Sequence, residues 1–230
     1  MISSHATATL QIWQLLTRLG EAQILLPAAA MTLLVLFAQA HTRRLALSWM
    51  AFITTAAFIT TASKVAFMGW GIGWAAIDFT GVSGHSMFAA AIYPMLMVAF
   101  LSAPLRSHHR LAAALGCALA LLVGVSRIEV GAHSWSEVLA GWAVGGAVSA
   151  AALAVCKTSS LRIRPIVPVV LLAWVAVMPF QLHASPTHFL VTRLAMSLSG
   201  NETPFTRSDL MRRADLERLT FTRPEPSLTP

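Results

Sequence analysis

The stretch GVSGHSMFAAAIYPMLMVAFLSA, residues 81–103, sets a short polar cluster directly before a long apolar run. From Gly84 onward the run is long enough to cross a membrane as a helix, which takes about 20 apolar residues. Ser83 and Gly84 would lie at the helix N-terminus, where backbone N–H groups and the helix dipole attract an anion. His85 follows directly and can carry a proton. The stretch therefore predicts a membrane-spanning helix with an anion site at one end, although an ordinary N-cap at Ser83 explains the same residues.

The composition indicates an integral membrane protein. Of the 230 residues, 57% are hydrophobic and 11% are charged, and the mean hydropathy is +0.70. Soluble domains average about 25% charged residues. The net charge of +7 does not indicate nucleic-acid binding, because the basic residues are scattered over short loops and a tail without a basic face that includes aromatic residues. We therefore expect a membrane around this chain and no nucleic-acid partner.

Six apolar runs are candidate membrane spans. They cover residues 22–40, 45–68, 84–103, 111–126, 134–156 and 165–182. The last run is the weakest, because it contains three prolines, one of which would kink or end a helix. We predict an all-α fold, a polytopic transmembrane bundle of about six spans. Its parts would be an interfacial segment over 1–21, the transmembrane domain over 22–182 and a polar basic tail over 183–230, in which residues 207–220 can form a short amphipathic helix.

The charges of the loops predict the orientation of the bundle. Loops 41–44, 104–110 and 157–164 contain arginine or lysine, and with six spans they share one side, which the positive-inside rule makes cytoplasmic. Loops 69–83 and 127–133 then face outward, and the polar clusters lie at that outer face. In a bacterial inner membrane this is the periplasmic face. The tail lies on the same side if the sixth run crosses the membrane, and in the cytoplasm if it does not.

A second polar cluster follows the fourth apolar run. Ser126-Arg127 is followed after five residues by His133 and after three more by Glu137. The guanidinium of Arg127 is a planar fork of donors that suits phosphate oxygens. Glu137, four residues after His133, can hold one ring nitrogen and leave the other free to attack, although a helix-starting histidine beside an ordinary acid explains the pair as well. Lys64, near the outer end of the second run, adds another cation, or simply reaches to the membrane interface.

Taken together, these clusters resemble the three signature motifs of the type 2 phosphatidic acid phosphatase superfamily, which also includes vanadium haloperoxidases. The resemblance covers roughly residues 45–156 and is to the integral membrane branch. It rests on Lys64, on Ser83-Gly84-His85 and on Ser126-Arg127-x5-His133-x3-Glu137.

The sequence departs from the family pattern at three places. The first motif should end in Arg-Pro, and here Gly71 and Ile72 occupy those positions. Val82 replaces the proline that usually precedes Ser-Gly-His, and Glu137 replaces the usual aspartate. The missing arginine matters most, because losing one positioned donor to an oxyanion costs about 10²–10³-fold in rate. Arg193 in the tail is a candidate replacement if the tail lies outside.

The resemblance implies a reaction mechanism. His133 would attack phosphorus and form a phosphohistidine, Glu137 would orient it, and His85 would protonate the leaving oxygen. The residues implied to bind the phosphate are Lys64, Ser83, Gly84 and Arg127. The family needs no metal or other cofactor, and the sequence has no Cys/His ligand spacing or aspartate cluster.

The resemblance therefore implies a membrane lipid phosphatase. Candidate substrates are phosphatidic acid, phosphatidylglycerol phosphate, undecaprenyl diphosphate and lipid A. Three alternatives stay open: a phosphotransferase that passes the phosphoryl group to a lipid, a non-catalytic phospholipid-binding or transport protein, and a haloperoxidase, which the all-membrane architecture disfavours. The sequence does not indicate the oligomeric state. The polar residues to which we assign no role in the site are Asp78, Glu129, His108, His109, His183 and His188, and we expect the four histidines to be surface residues.

Overall fold

The computed structural model describes residues 2–101, 109–156, 164, 166–181 and 186–221. Two of the histidines predicted to be surface residues, His108 and His183, lie outside the described residues. Most of the predicted loops 104–110 and 157–164 lies outside them as well.

The chain is all-α, as the sequence predicts. In the part that the structure describes, the helices are α1 (Ile2–Arg18), α2 (Ala22–Phe37), α3 (Arg43–Trp70), α4 (Gly84–Leu101), α5 (His109–Glu129), α6 (Trp135–Val155), α7 (Ile166–Gln181), α8 (Pro186–Ser199) and α9 (Arg207–Phe221). A short 3₁₀ turn, Ala75–Ile77, lies between α3 and α4.

Among the described residues, five stretches are long and apolar enough to cross a membrane. They are Thr9–Phe37, Arg43–Trp70, Gly84–Leu101, His109–Glu129 and Trp135–Val155. The sixth predicted span corresponds to the shorter apolar helix α7. The first stretch begins inside α1, which packs against α5. The protein is thus a polytopic helical bundle, and the interfacial placement of 1–21 stays a prediction.

Helix α4 is the centre of the bundle. Twelve of its 18 residues are buried, and it packs against α2, α3, α5 and α6. Glycines let the partners approach closely: a Cβ atom on Gly116 of α5 would lie 2.5 Å from the Cα of Pro94, and one on Gly145 of α6 would lie 2.1 Å from the carbonyl oxygen of Met87. Trp49 of α3 donates a hydrogen bond from its indole nitrogen to the carbonyl oxygen of Ala91, at 3.2 Å.

The close approach of α6 to α4 gives a stability prediction with a matched control. Gly145→Ala should lower the free energy of unfolding by about 1–3 kcal/mol, because the new methyl group forces the two helices apart. Gly146→Ala should be neutral or stabilising, because its Cβ position has no described atom within 4 Å apart from its chain neighbours and the nearby backbone of its own helix. Thermal unfolding of both variants in detergent measures the difference. Equal midpoints would contradict the observed packing.

The polar clusters meet at one end of the bundle, called here the site end, where α3 and α5 finish and α4 and α6 begin. Helix α7 also finishes at this end, since Arg18 at the end of α1 donates a hydrogen bond to the carbonyl oxygen of Pro179 at 2.5 Å. Helix α8 then packs against α3, and α9 contacts the 3₁₀ turn. The C-terminal segment therefore lies at the site end.

Candidate active site

The site end contains a cavity of about 560 Å³. Six of the seven residues predicted for the site line it: Lys64, Gly84, His85, Arg127, His133 and Glu137. The exception is Ser83, which is fully buried and does not line the cavity. Its backbone N–H donates to the carbonyl oxygen of Glu137 at 3.1 Å, and its hydroxyl accepts a hydrogen bond from Ser86 at 3.0 Å. The first contact joins the start of α4 to α6, and the second lies within the N-terminal turn of α4.

The first turn of α6 fixes the predicted histidine–carboxylate pair. Ser134 is the N-cap of α6, and Glu137 closes a capping box with it: the Ser134 hydroxyl accepts from the Glu137 N–H at 3.4 Å, and the Glu137 carboxylate accepts from the Ser134 N–H at 3.3 Å. Oxygen Oε2 of Glu137 lies 2.5 Å from Nδ1 of His133. Because Nδ1 is engaged, Nε2 is the ring nitrogen that can react in the cavity.

The second carboxylate oxygen of Glu137 is also fully engaged. Oε1 accepts a hydrogen bond from the Thr80 N–H at 2.9 Å, another from the Thr80 hydroxyl, and one from Nη2 of Arg207 at 2.9 Å. Thr80 follows a tight loop in which Trp74 and Phe79 exchange backbone hydrogen bonds of 2.9 and 3.0 Å. Since Glu137 is fully buried, these donors and His133 are what hold its carboxylate in place.

The surroundings of His133 favour its neutral form. Burial lowers the pKa of the imidazole below its ordinary value of 6.5, and the positive charges of Lys64 and Arg127 act in the same direction. The hydrogen bond to Glu137 and the negative charge of its carboxylate act in the opposite direction. A neutral ring at pH 7 has the free electron pair that an attack on an electrophile needs.

This shift gives a pH prediction. If neutral His133 is the reacting form, activity falls as the pH drops through the His133 pKa, and the acid limb of the kcat/KM profile should lie below pH 6.5. NMR titration of the His133 ring should give a midpoint in the same range. A midpoint at or above pH 6.5 would contradict the observed burial.

Two cations and a helix N-terminus surround the centre of the cavity. Lys64 of α3 is close to the start of α4, since a Cβ atom on Gly84 would lie 3.9 Å from its Nζ. Arg127 of α5 donates from Nη1 to the Thr17 hydroxyl at 2.7 Å, while its buried Nε has no hydrogen-bond partner among the described residues. A buried donor without a hydrogen-bond partner is energetically costly. An anion bound in the cavity would give the Nε–H group of Arg127 an acceptor.

His85 faces the turn between α1 and α2. A Cβ atom on Gly20 would lie 3.0 Å from the Cβ of His85, and both residues line the cavity. Tyr93, two turns further along α4, donates a hydrogen bond from its hydroxyl to the carbonyl oxygen of Leu19 at 2.8 Å. The N-terminal turn thus forms one wall of the cavity beside the predicted proton donor.

The tail contributes residues to the cavity, among them His188 and Arg207, which the sequence prediction did not assign to the site. Arg193, the predicted replacement cation, does not line the cavity, and its guanidinium lies 5.5 Å from the ring centre of Phe189. Arg207 lines the cavity in its place. His188 also lines it and is exposed, in agreement with the prediction of a surface residue. Asp78, to which no role was assigned, pairs with Arg207.

Other polar residues of the cavity wall also escaped the sequence prediction. Among them are Glu21, Thr80 and Thr187. No local motif signals them, because each approaches the site from a different part of the fold. Within the described ranges, no cluster of three or more His, Cys, Asp or Glu side chains could hold a metal ion.

The chain is similar in sequence to a known protein family and to two known proteins. Residues 70–161 match the family model of the PAP2 superfamily. The "Uncharacterized 22.5 kDa protein in cps region" of Klebsiella pneumoniae is 38% identical over 212 residues, which are 88% of this chain and 99% of that protein. Phosphatidylglycerophosphatase B of Bacillus subtilis is 37% identical over 74 residues, which are 30% of this chain and 34% of that protein.

A solved structure has the same fold. The crystal structure of a transmembrane PAP2-type phosphatidylglycerolphosphate phosphatase from Bacillus subtilis aligns with a TM-score of 0.52 and 24% identity, over 68% of this chain and 80% of that chain. The family match includes both histidine motifs of the cavity, and the described part of the chain itself contains five candidate membrane spans. On these grounds the chain belongs to the membrane branch of the PAP2 superfamily.

Proposed function

We propose that this protein is a membrane lipid phosphatase that hydrolyses a phosphomonoester or diphosphate of a lipid through a phosphohistidine intermediate. One observation carries the proposal: the Nδ1 of His133 lies 2.5 Å from a fully buried carboxylate, in a cavity that also contains Lys64 and Arg127. A site that only binds phosphate needs the cations, but it does not need a histidine oriented by a buried acid.

The proposed reaction has two steps. In the first, the Nε2 electron pair of His133 attacks phosphorus, the P–O bond to the lipid breaks, and His85 gives its proton to the leaving oxygen. In the second, water attacks the phosphohistidine, His85 takes a proton from that water, and the P–N bond breaks to release inorganic phosphate. Glu137 accepts the Nδ1–H hydrogen bond throughout and stabilises the positive charge that develops on the ring.

The cations act on the charge of the phosphoryl group. Lys64, Arg127 and the N-terminal N–H groups of α4 would stabilise the negative charge on the phosphoryl oxygens in the transition state. The unpaired Nε of Arg127 supports this role, since a bound phosphate would give it a partner.

The rim of the cavity suits a lipid. Phe67, Met68, Phe88 and Val191 contribute apolar lining next to the polar centre. Trp70 and Trp74 are exposed at the same end, and tryptophan prefers the headgroup level of a membrane. We propose that this end faces the periplasm from a bacterial inner membrane, in line with the loop charges.

The proposal is tested by phosphate release from four lipids. The purified protein in detergent should release inorganic phosphate from at least one of phosphatidic acid, phosphatidylglycerol phosphate, undecaprenyl diphosphate and lipid A. Phosphatidylglycerol phosphate ranks first, because a relative that is 37% identical over 74 residues is named for that activity. Vanadate, a phosphate mimic, should inhibit the release. No release from any of the four would contradict hydrolysis of these lipids, and label transferred to an added lipid acceptor would instead indicate a phosphotransferase.

A further inference from the structure

Arg207 connects the C-terminal segment to the buried carboxylate of the site. Its Nη2 lies 2.9 Å from Oε1 of Glu137, and its Nη1 pairs with the carboxylate of Asp78. The side chain of Glu137 is 0% exposed, whereas those of Arg207 and Asp78 are 38% and 39% exposed. Arg207 therefore bridges the exposed carboxylate of Asp78 and the buried carboxylate of Glu137. Glu137 is also the hydrogen-bond partner of His133.

The segment that contains Arg207 is held at the end of α3 by hydrogen bonds to backbone carbonyl groups of that helix. Asn201 donates from its side-chain amide to the carbonyl oxygen of Gly69 at 2.6 Å. Phe205 donates from its N–H to the carbonyl oxygen of Met68 at 2.9 Å. These carbonyls belong to the last turn of α3, where no helical N–H is available to them. The segment between α8 and α9 thus acts as a cap for α3, two residues before Arg207.

Glycines make room for α9 in the loop after α3. A Cβ atom on Gly71 would lie 2.9 Å from Nη1 of Arg213, and one on Gly73 would lie 3.1 Å from a methyl group of Leu210. Gly71 also has a φ of +71°, which a residue with a side chain rarely adopts. Larger residues at these two positions would collide with side chains of the first turns of α9. The glycines therefore let α9 pack against the loop after α3, and this packing places Arg207 at the cavity.

From these contacts we propose that Arg207 is a positioning residue for the reaction and that the segment from α8 to α9 is part of the catalytic unit. The guanidinium fixes Oε1 of Glu137, so that Oε2 stays on Nδ1 of His133. This proposal rests on the proposed function for its kinetic effect. Its structural effect, on the His133 ring, does not depend on that function.

The kinetic test compares Arg207→Ala with Arg212→Ala. Arg212 lies on the same helix, pairs with Asp209 and is 72% exposed, so its loss should leave activity unchanged. Arg207→Ala should lower kcat by about 10²-fold with little change in KM, because a misplaced catalytic group costs about that much. Arg207→Lys keeps the charge but cannot span both carboxylates, so its kcat should fall between those of the other two.

NMR titration of the His133 ring tests the same contact without substrate, with His133→Ala used to assign its signal. If Arg207 positions Glu137, its loss lets the carboxylate leave Nδ1 of His133, and the pKa of His133 should fall because the hydrogen bond that raises it is lost. A role of the Arg207 charge alone would raise this pKa instead, and Arg212→Ala should leave the titration unchanged. An unchanged His133 titration in folded Arg207→Ala would overturn the proposal, and so would an unchanged kcat. If Arg207→Ala does not fold, the same readouts from Arg207→Lys decide. Absence of any phosphate release in the unmodified protein would count against the proposed function alone, and the titration would still decide on Arg207.

Discussion

Replacing His133 by alanine is expected to lower kcat for phosphate release by at least about 10⁴-fold, because the attacking nitrogen is lost and no covalent intermediate can form. His133 lies in the loop before α6 and not in the packed interior of the bundle. The variant should therefore fold. Phosphate release under saturating lipid measures the effect, and the thermal midpoint in detergent checks the fold.

His109→Ala is the matched control for His133→Ala. His109 begins α5 and does not line the cavity. This control should keep the activity of the unmodified protein. If His133→Ala retained more than about a tenth of that activity while folded, another group would have to be the nucleophile, and the proposed mechanism would be wrong.

Glu137→Gln is expected to give the second largest loss, about 10²–10⁴-fold in kcat. The amide cannot accept the hydrogen bonds of His133, Thr80 and Arg207 as a carboxylate does, and its N–H₂ group would face donors in a fully buried position. Loss of a carboxylate that orients a catalytic histidine costs up to about 10⁴-fold. Steady-state kinetics of the folded variant measures the loss.

Glu137→Asp separates the effect of the negative charge from the effect of the side-chain length. The aspartate found in other members of the family keeps the charge, but it is one methylene shorter and would lie farther from Thr80 and Arg207, so its activity should fall between those of the unmodified protein and Glu137→Gln. A Glu137→Gln variant as active as the unmodified protein would show that the negative charge is not needed, contrary to the proposed role of the carboxylate.

The central helices were predictable because membrane burial leaves a strong pattern. Helix α4 was predicted to begin at Gly84 and does so, and α6 was predicted over 134–156 and runs from Trp135 to Val155. An apolar run of this length has few folds available, since every backbone group must find a partner inside the helix. The pairing of His133 with Glu137 was predicted from their spacing of four residues, but His133 precedes the N-cap of α6, and the contact forms because Glu137 reaches back over the first turn in a capping box.

The contribution of the tail was not predictable from the sequence. Arg207 is 70 residues from Glu137 and 129 from Asp78 along the chain, and no periodicity connects positions so far apart. The helix around it was expected over 207–220, but its docking depends on the caps and glycine contacts at the end of α3. For this reason the sequence led to Arg193 as the extra cation, whereas the fold brings Arg207 to the cavity.

Detection of a phosphorylated enzyme would show whether the reaction passes through a phosphohistidine. The purified protein would be mixed with the most active lipid of the panel, carrying a radioactive phosphate, and quenched with alkali, in which phosphohistidine is stable. Mass spectrometry would then locate the label. The expected result is a phosphate on His133 that is lost in acid and is absent from His133→Ala. Turnover without any such label in a quench faster than kcat, or label on another residue, would contradict it.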